Sequence, residues 1–296
     1  MTTYGKGIGA VAVNAVILIV LLSIAFLSLF PILNSVSVSL SDKAAVSAGR
    51  VTVFPVQFSL ANYKTLMSDK QFFVSFGVSL KRVLLGGSIQ FVLTLLMAFP
   101  LSRTPQRFKG RNIYMWALVI AMLFSGGLIP WYLTVRAVGL IDTIWALVLP
   151  GAVPVFNVIL LMNFYRNLPK ELDEAAMIDG AGPWNTLVRL YVPLGLPAIA
   201  TVTLLSVVGH WNAFFDGLVL IHNPHNMPLQ TYINTFLLQP AQLDNIDPEM
   251  LKTIMQTSDQ GLNSAKVMVS MIPILLIYPF LQRYFIHGIV LGSVKE

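Results

Sequence analysis

The sequence predicts an all-α protein that crosses a membrane six times. Only 11% of its 296 residues are charged and 56% are hydrophobic, whereas a soluble domain carries roughly 25% charged residues. The charges are clustered, so long stretches of the chain carry none. A bilayer-spanning helix needs ~20 predominantly apolar residues. The apolar stretches that meet or approach this length are residues 9–33, 83–102, 112–134, 143–165, 197–221 and 266–287, and only the last two include charges, at Asp216, Lys266 and Arg283.

Three of these stretches have features of their own. The first is too long for the apolar core of a signal peptide and lacks a convincing cleavage site, so we expect a retained helix. The fourth contains Pro150 and Pro154, which should kink it. The charge-free part of the last one, residues 267–282, is short, and the long side chain of Arg283 can extend from its end to the interface. We expect residues 1–296 to form a single transmembrane domain.

Motifs for several kinds of chemistry are absent from the sequence. It contains no GxxxxGK[ST] phosphate-binding loop, no HExxH pattern and no cysteine. We therefore predict that the chain is not an enzyme, has no catalytic residue or metal site, and binds no cofactor itself. A nucleic-acid partner is also excluded, because the net charge of +6 is not gathered into a basic soluble module.

The orientation in the membrane follows from one basic loop, "RTPQRFKGR". Arg103, Arg107, Lys109 and Arg111 occur there without an acid, and such loops face the cytoplasm. Both termini and the 166–196 loop are then cytoplasmic, whereas segments 34–70 and 222–265 face outward.

The second outward segment contains "DNIDPEMLK". It predicts a helix start with Asp247 as N-cap and Pro248 in the first turn. A calcium site at Asp244, Asn245, Asp247 and Glu249 is disfavoured, because the spacing matches no EF-hand loop.

A few polar and aromatic residues inside or beside the apolar runs are candidates for lining a transport pathway: Asn157, Trp211, Asn212 and Asp216. The asparagines can instead hydrogen-bond between helices, and Asp216 can equally reach the interface. His210 is interpreted as a neutral imidazole hydrogen-bonded to a neighbouring helix. The remaining aromatics near span ends, such as Trp131, are interpreted first as interface anchors rather than sugar-stacking groups.

The segment "ELDEAAMIDGAG", residues 171–182, is unusually acidic and rich in small residues. Pro169 and the acids that follow suit the start of a helix, where negative charge complements the dipole. Gly180 and Gly182 should end this helix before a second one, "PWNTLVRLYVP". One face of the first helix at helical spacing is Leu172, Ala175, Ala176 and Asp179. Helix connections usually need only ~2–8 residues, so we interpret the pair as a docking surface that allows close approach by a partner.

The stretch "EAAMIDGAGPWNTLVRLYVPLGLPAI" resembles the EAA loop of bacterial ABC importer permeases. Glu174, Ala175, Ala176 and Gly180 match its pattern, Asp179 matches the DGA version of sugar permeases, and Val192-Pro193 replaces the usual Leu-Pro. "WNAFFDGLVL" and "YPFLQRYFIHGIVLGSVKE" are similar to further segments of carbohydrate permeases, although Glu296 replaces a final glycine. "LDNIDPEMLK" and "PILLIYPFLQRYF" narrow the resemblance to the smaller permease subunit of aldouronate, rhamnogalacturonan and alginate systems.

This resemblance implies a type I ABC importer permease fold with cytoplasmic EAA coupling helices in the bacterial inner membrane. It also implies a heterodimer with a second permease, two ATPase subunits that bind ATP and Mg²⁺, an external solute-binding protein, and an oligosaccharide substrate that includes acidic, uronate-containing sugars. The implied coupling residues are Glu174, Ala175, Ala176, Asp179, Gly180 and Pro193. The implied tail contacts are Gly292, Ser293, Val294, Lys295 and Glu296.

An ion-coupled secondary transporter and a non-transporting scaffold are the alternatives. Both are disfavoured because neither kind of protein has an ATPase subunit to which the EAA loop could dock. The secondary transporter is further disfavoured because buried acids are nearly absent and no inverted repeat is visible.

Overall fold

The computed structural model describes residues 8–238 and 259–293, and the prediction of an all-α fold is confirmed for them. They contain one isolated β-bridge, between Ser41 and Phe58. The helices in order are α1 Ile8–Ser39, α2 Lys43–Ser47, α3 Ala61–Ser68, α4 Lys70–Ser102, α5 Arg111–Leu123, α6 Leu128–Ala137, α7 Ile144–Val148, α8 Val155–Arg166, α9 Lys170–Ile178, α10 Pro183–Asn185, α11 Val192–Leu194, α12 Leu196–Asn212, α13 Phe215–Leu220, α14 Leu229–Leu238 and α15 Asp259–Ser293. A π-helix, Thr186–Tyr191, joins α10 to α11.

Six membrane spans are compatible with the lengths and apolar composition of these helices. Three helical stretches qualify individually, namely Val13–Ser39, Lys70–Ser102 and Asp259–Pro279. Three more arise if each of three bent helix pairs counts as one span. One of these pairs consists of Ile144–Gly151, which begins with α7, and α8, and it is bent by 43°. The bend lies beside Pro150 and Pro154, so the predicted kink is present.

Two predicted spans are not the continuous helices that their apolar runs indicated. The 112–134 run is divided between α5 and α6, and the chain bends by 116° from one helix to the other. Its break contains Gly126 and Gly127, and Gly127, directly before α6, has φ +82°, a non-helical conformation that favours glycine. In the 197–221 run, α12 ends at Asn212 and α13 begins at Phe215. Hydrophobicity alone does not register such breaks, because it records polarity and not backbone conformation.

The described residues group into two compact units, one from residues 8–70 and 259–271 and the other from residues 71–238 and 272–293. In the first unit, Val38, Val46 and Val51 pack in a small core. The buried Asn62 side chain donates to the Ser39 carbonyl at 3.0 Å. The prediction that residues 1–296 form one transmembrane domain stays a prediction.

The main core of the second unit positions the residues of functional interest. It joins buried side chains from α4, α5, α8 and α12 with Leu187 and Tyr191 of the π-helix. The predicted docking segment is therefore packed into the helical bundle at its second helix. The predicted N-cap Asp247 and the other residues of the disfavoured calcium site lie outside the described residues.

Candidate coupling surface and transmembrane cavity

The docking segment forms two short helices separated by a sharp turn, as its sequence predicts. Helix α9 ends at Ile178, and Gly180 follows with φ +73°. The Ala181 N–H donates to the Ala176 carbonyl at 2.9 Å, and the Gly180 N–H donates to the Met177 carbonyl at 3.0 Å. This pair of bonds is a Schellman motif, whose left-handed position favours glycine. Pro183 then begins the second helix.

The first helix of the segment is attached to the basic loop by ion pairs. Asp173, which is buried, pairs with Arg103 and Arg107. Arg103 also donates to the Tyr191 hydroxyl at 3.1 Å, and its guanidinium lies 4.3 Å from the Phe99 ring centroid. One arginine thus connects α9, the π-helix and α4. The acidic segment and the basic loop were both evident in the sequence, but nothing in the sequence indicated that they form ion pairs with each other.

Most of the residues predicted to couple to an ATPase lie on the solvent-exposed surface of this segment. Glu174, Ala175, Asp179, Gly180 and Pro193 are exposed, whereas Ala176 is half-buried. Glu174 forms no ion pair within residues 8–238 and 259–293, so its carboxylate is available to an external cation. Their coupling roles stay predictions.

Large apolar side chains on the same segment are also exposed, and the sequence interpretation did not single them out. Ile178 is 87% exposed and Trp184 is 65% exposed. Ile178 lies beside the acids at the end of α9, and Trp184 follows Pro183 in the next helix. This placement on a short polar segment was the available signal, since such residues at a surface mark interaction sites.

A cavity of about 460 Å³ lies between the helices of the second unit, a volume within the roughly 300–1,000 Å³ of ligand pockets. Its lining includes broken backbone at Pro150, Gly151 and Pro154, together with polar side chains from α4, α8, α12 and α13. Gln90 donates to the Gly151 carbonyl at 2.7 Å. Irregular backbone at membrane depth occurs where it is buried in protein or borders a water-filled cavity.

An ion pair lies on the wall of this cavity. Arg82 donates to both carboxylate oxygens of Asp216, with Nη1 to Oδ1 at 3.1 Å. The sequence indicated no partner for Asp216. The imidazole of His210 lies nearby, so close to α4 that a Cβ at Gly86 would stand 2.5 Å from it.

The structure separates the four predicted pathway residues. Asn157 and Asp216 border the 460 Å³ cavity, where Asn157 donates to Ser206 Oγ at 3.0 Å. Asn212 borders a second cavity of about 670 Å³, which Trp131 and Asp216 also line. Trp211 is buried, with its ring centroid 5.5 Å from that of Phe76. Their pathway roles stay predictions.

The C-terminal tail is only partly described. Gly292 and Ser293 close α15, whereas Val294, Lys295 and Glu296 lie outside the described residues. Among the described residues, no cluster of three or more His, Cys, Asp or Glu side chains is arranged to hold a metal ion.

Known proteins share this architecture. Residues 74–289 match the family described as "Binding-protein-dependent transport system inner membrane component". Protein LplC of Bacillus subtilis (strain 168) is 37% identical over 269 residues, covering 91% of this chain and 90% of the relative. Polygalacturonan/rhamnogalacturonan transport system permease protein YtcP of the same organism is 34% identical, covering 93% of this chain and 95% of the relative.

A solved structure is also similar over nearly all of the chain. It is a chain in the crystal structure of a bacterial ABC transporter involved in the import of the acidic polysaccharide alginate. The match has a TM-score of 0.85 at 30% identity and covers 96% of this chain and 100% of that chain. These similarities show that the chain belongs to the family of binding-protein-dependent transport system inner membrane components, as a permease subunit of an ABC importer.

Proposed function

We propose that this permease moves acidic, uronate-containing oligosaccharides into a bacterial cell, as one half of a heterodimer with a second permease. Two relatives support this substrate class by their descriptions, one as a polygalacturonan/rhamnogalacturonan permease and one as part of an importer of alginate. The ion-coupled carrier and the scaffold are set aside by the family membership, because its members work in binding-protein-dependent systems.

The observation that carries the partner assignment is the exposed surface of α9 and the turn after it. Glu174 offers a carboxylate for an Arg or Lys of an ATPase subunit, Ala175 permits close backbone approach, and Ile178 and Trp184 provide apolar area. ATP and Mg²⁺ bind to two such ATPase subunits and not to this chain. The basic 103–111 loop and both termini then face the cytoplasm, in agreement with the positive-inside rule.

The contacts of the same segment explain how movement of the ATPases reaches the membrane. Asp173 and Tyr191 fix the segment to Arg103, at the end of α4, and Leu187 and Tyr191 belong to the main core. Closure of the ATPases on ATP displaces the helix pair, and the bundle follows as a rigid body. Alternating access through such rocking is common among transporters.

Two further contacts belong to this proposal. The tail from Gly292 to Glu296 reaches toward the ATPase dimer. The 222–265 segment faces outward, where a solute-binding protein delivers the oligosaccharide toward the cavity beside Asn157 and Asp216.

The proposal is tested by purifying the tagged chain from its native membrane and identifying what accompanies it. A second permease and an ATPase should co-purify, and oligosaccharide-loaded binding protein should stimulate ATP hydrolysis. Glu174→Lys should remove the ATPase while the second permease remains bound. Recovery of the chain alone, or normal ATPase retention by Glu174→Lys, would contradict the proposal.

A further inference from the structure

We propose that Arg82 recognises a carboxylate of the transported oligosaccharide, and that Asp216 occupies its guanidinium when no substrate is bound. This inference rests on the proposed function, the import of acidic oligosaccharides, and adds the residue that recognises the substrate carboxylate. The cavity, the ion pair and the unequal burial of its two members carry the argument.

The guanidinium is held in a buried, bidentate arrangement. The Arg82 side chain is only 3% exposed, whereas that of Asp216 is 22% exposed. Arg82 Nη1 donates to Asp216 Oδ1 at 3.1 Å and to the Ala213 carbonyl at 3.3 Å, and Nη2 donates to Oδ2. A planar fork of this kind binds carboxylates in two parallel hydrogen bonds. The native partner therefore has the same chemistry as a uronate.

One donor of the arginine has no partner within the described chain. Arg82 Nε is buried and makes no hydrogen bond among residues 8–238 and 259–293. A buried donor without an acceptor is costly in a static core. Because Arg82 lines the 460 Å³ cavity, an entering carboxylate can supply the missing acceptor.

Exchange between two carboxylates keeps the buried charge paired throughout. A buried arginine left without an anion would be strongly unfavourable, so Asp216 leaves only as the substrate carboxylate arrives. Asp216 is the more exposed member, and its Oδ1 also accepts the Gly217 N–H at 2.9 Å. The Asp216 carboxylate therefore keeps the hydrogen bond from the Gly217 N–H when the Arg82 guanidinium binds the substrate carboxylate instead.

The rest of the cavity suits a sugar. Trp131 offers an aromatic face, and Gln90, Asn157 and Ser206 add amide and hydroxyl groups. Sites for small ligands combine apolar and aromatic walls with a few directed polar groups.

Arg82 also lies at the end of the pathway where an incoming substrate would be met first. The helix from Arg82 to Ser102 is about 30 Å long at ~1.5 Å per residue, close to the ~30 Å thickness of the hydrocarbon core. Ser102 adjoins the basic loop, which the proposed orientation places in the cytoplasm, so Arg82 lies near the outer boundary.

A purely structural ion pair is the competing explanation, and charge selectivity separates the two. The complete transporter complex, reconstituted in lipid nanodiscs without binding protein, is titrated with fluorescently labelled trigalacturonate and with its carboxyl-reduced, neutral counterpart. The wild-type complex should prefer the acidic probe. Arg82→Gln should weaken acidic binding roughly tenfold or more and leave neutral binding unchanged, because a charge-assisted bidentate contact is lost.

Two matched variants complete the experiment. Lys81→Gln removes the same charge from the adjacent exposed position and should leave both affinities unchanged. Asp216→Asn removes the competing carboxylate and should raise affinity for the acidic probe, even if Arg82→Gln fails to assemble. Equal loss for both probes in Arg82→Gln, no gain in Asp216→Asn, or no acidic preference in the wild type would overturn the inference. If the wild-type complex still imports acidic oligosaccharides with ATP hydrolysis, the proposed function survives that result.

Discussion

Asp173 and Arg103 lie 70 positions apart in the sequence and form an ion pair that attaches α9 to the end of α4. Arg107 contacts the same carboxylate, and the rings of Phe99 and Tyr191 stack against the guanidinium of Arg103. The exposed surface that we assign to the ATPase is therefore backed by charge pairing and aromatic contacts. A rigid attachment of this kind is what transmission of movement requires.

Asp173→Asn should uncouple ATP hydrolysis from transport. The amide lacks the charge to hold both arginines, and the largely buried Arg103–Asp173 pair is lost at a local cost of about 1–3 kcal/mol. We expect binding-protein stimulation of ATPase activity to fall several-fold while the complex still assembles. Glu171→Gln, on the same helix but exposed, is the control and should retain stimulation. Equal behaviour of the two variants would show that the Asp173 contact is dispensable.

Gly180→Val should disrupt the turn between the coupling helices. There is open space around the position, so only its φ of +73° is limiting, and a side chain in that conformation costs about 1–2 kcal/mol. We expect reduced retention of the ATPase in detergent pull-downs. Gly182→Ala, where φ is −68° and space is also open, should behave as wild type. Full retention by Gly180→Val would rule out a requirement for this turn.

Ile178→Ser and Trp184→Ser should each weaken ATPase binding about tenfold. A large apolar side chain that becomes buried contributes ~1.5–3 kcal/mol, and each 1.4 kcal/mol is a factor of about ten. Affinity can be measured by titrating the ATPase subunit onto reconstituted permease heterodimer. Phe54→Ser, at a 78% exposed phenylalanine in the 34–70 segment, tests the effect of removing apolar surface elsewhere. Unchanged affinity in both coupling variants would remove these residues from the interface.

Gly195→Val should destabilise the junction between the coupling segment and α12. A Cβ at this position would stand 2.6 Å from the Tyr165 ring and 2.7 Å from the Tyr191 carbonyl oxygen. Overpacking of this kind typically costs about 1–3 kcal/mol. The expected result is a lower unfolding temperature in a thermal melt of the purified complex. Gly209→Ala, which meets no atom within 4 Å, should melt as the wild type does.

The membrane spans and the coupling segment were predictable because each depends on local pattern. Long charge-free runs indicate spans, and the order of acids, glycines and Pro183 indicates two short helices with a turn between them. The breaks at Gly127 and Ala213 were missed because an apolar run has the same hydropathy whether it is straight or bent.

The sequence by itself determined the all-α class, the apolar helices and the turn between α9 and the helix that begins at Pro183, since composition, helix-terminating glycines and prolines, and residue order act over a few turns of chain. Only the tertiary structure decided that Asp173 meets Arg103 and that Arg82 meets Asp216, 134 positions apart. Those pairings depend on which helices pack side by side, and a buried charge is tolerated only where packing brings its partner within reach.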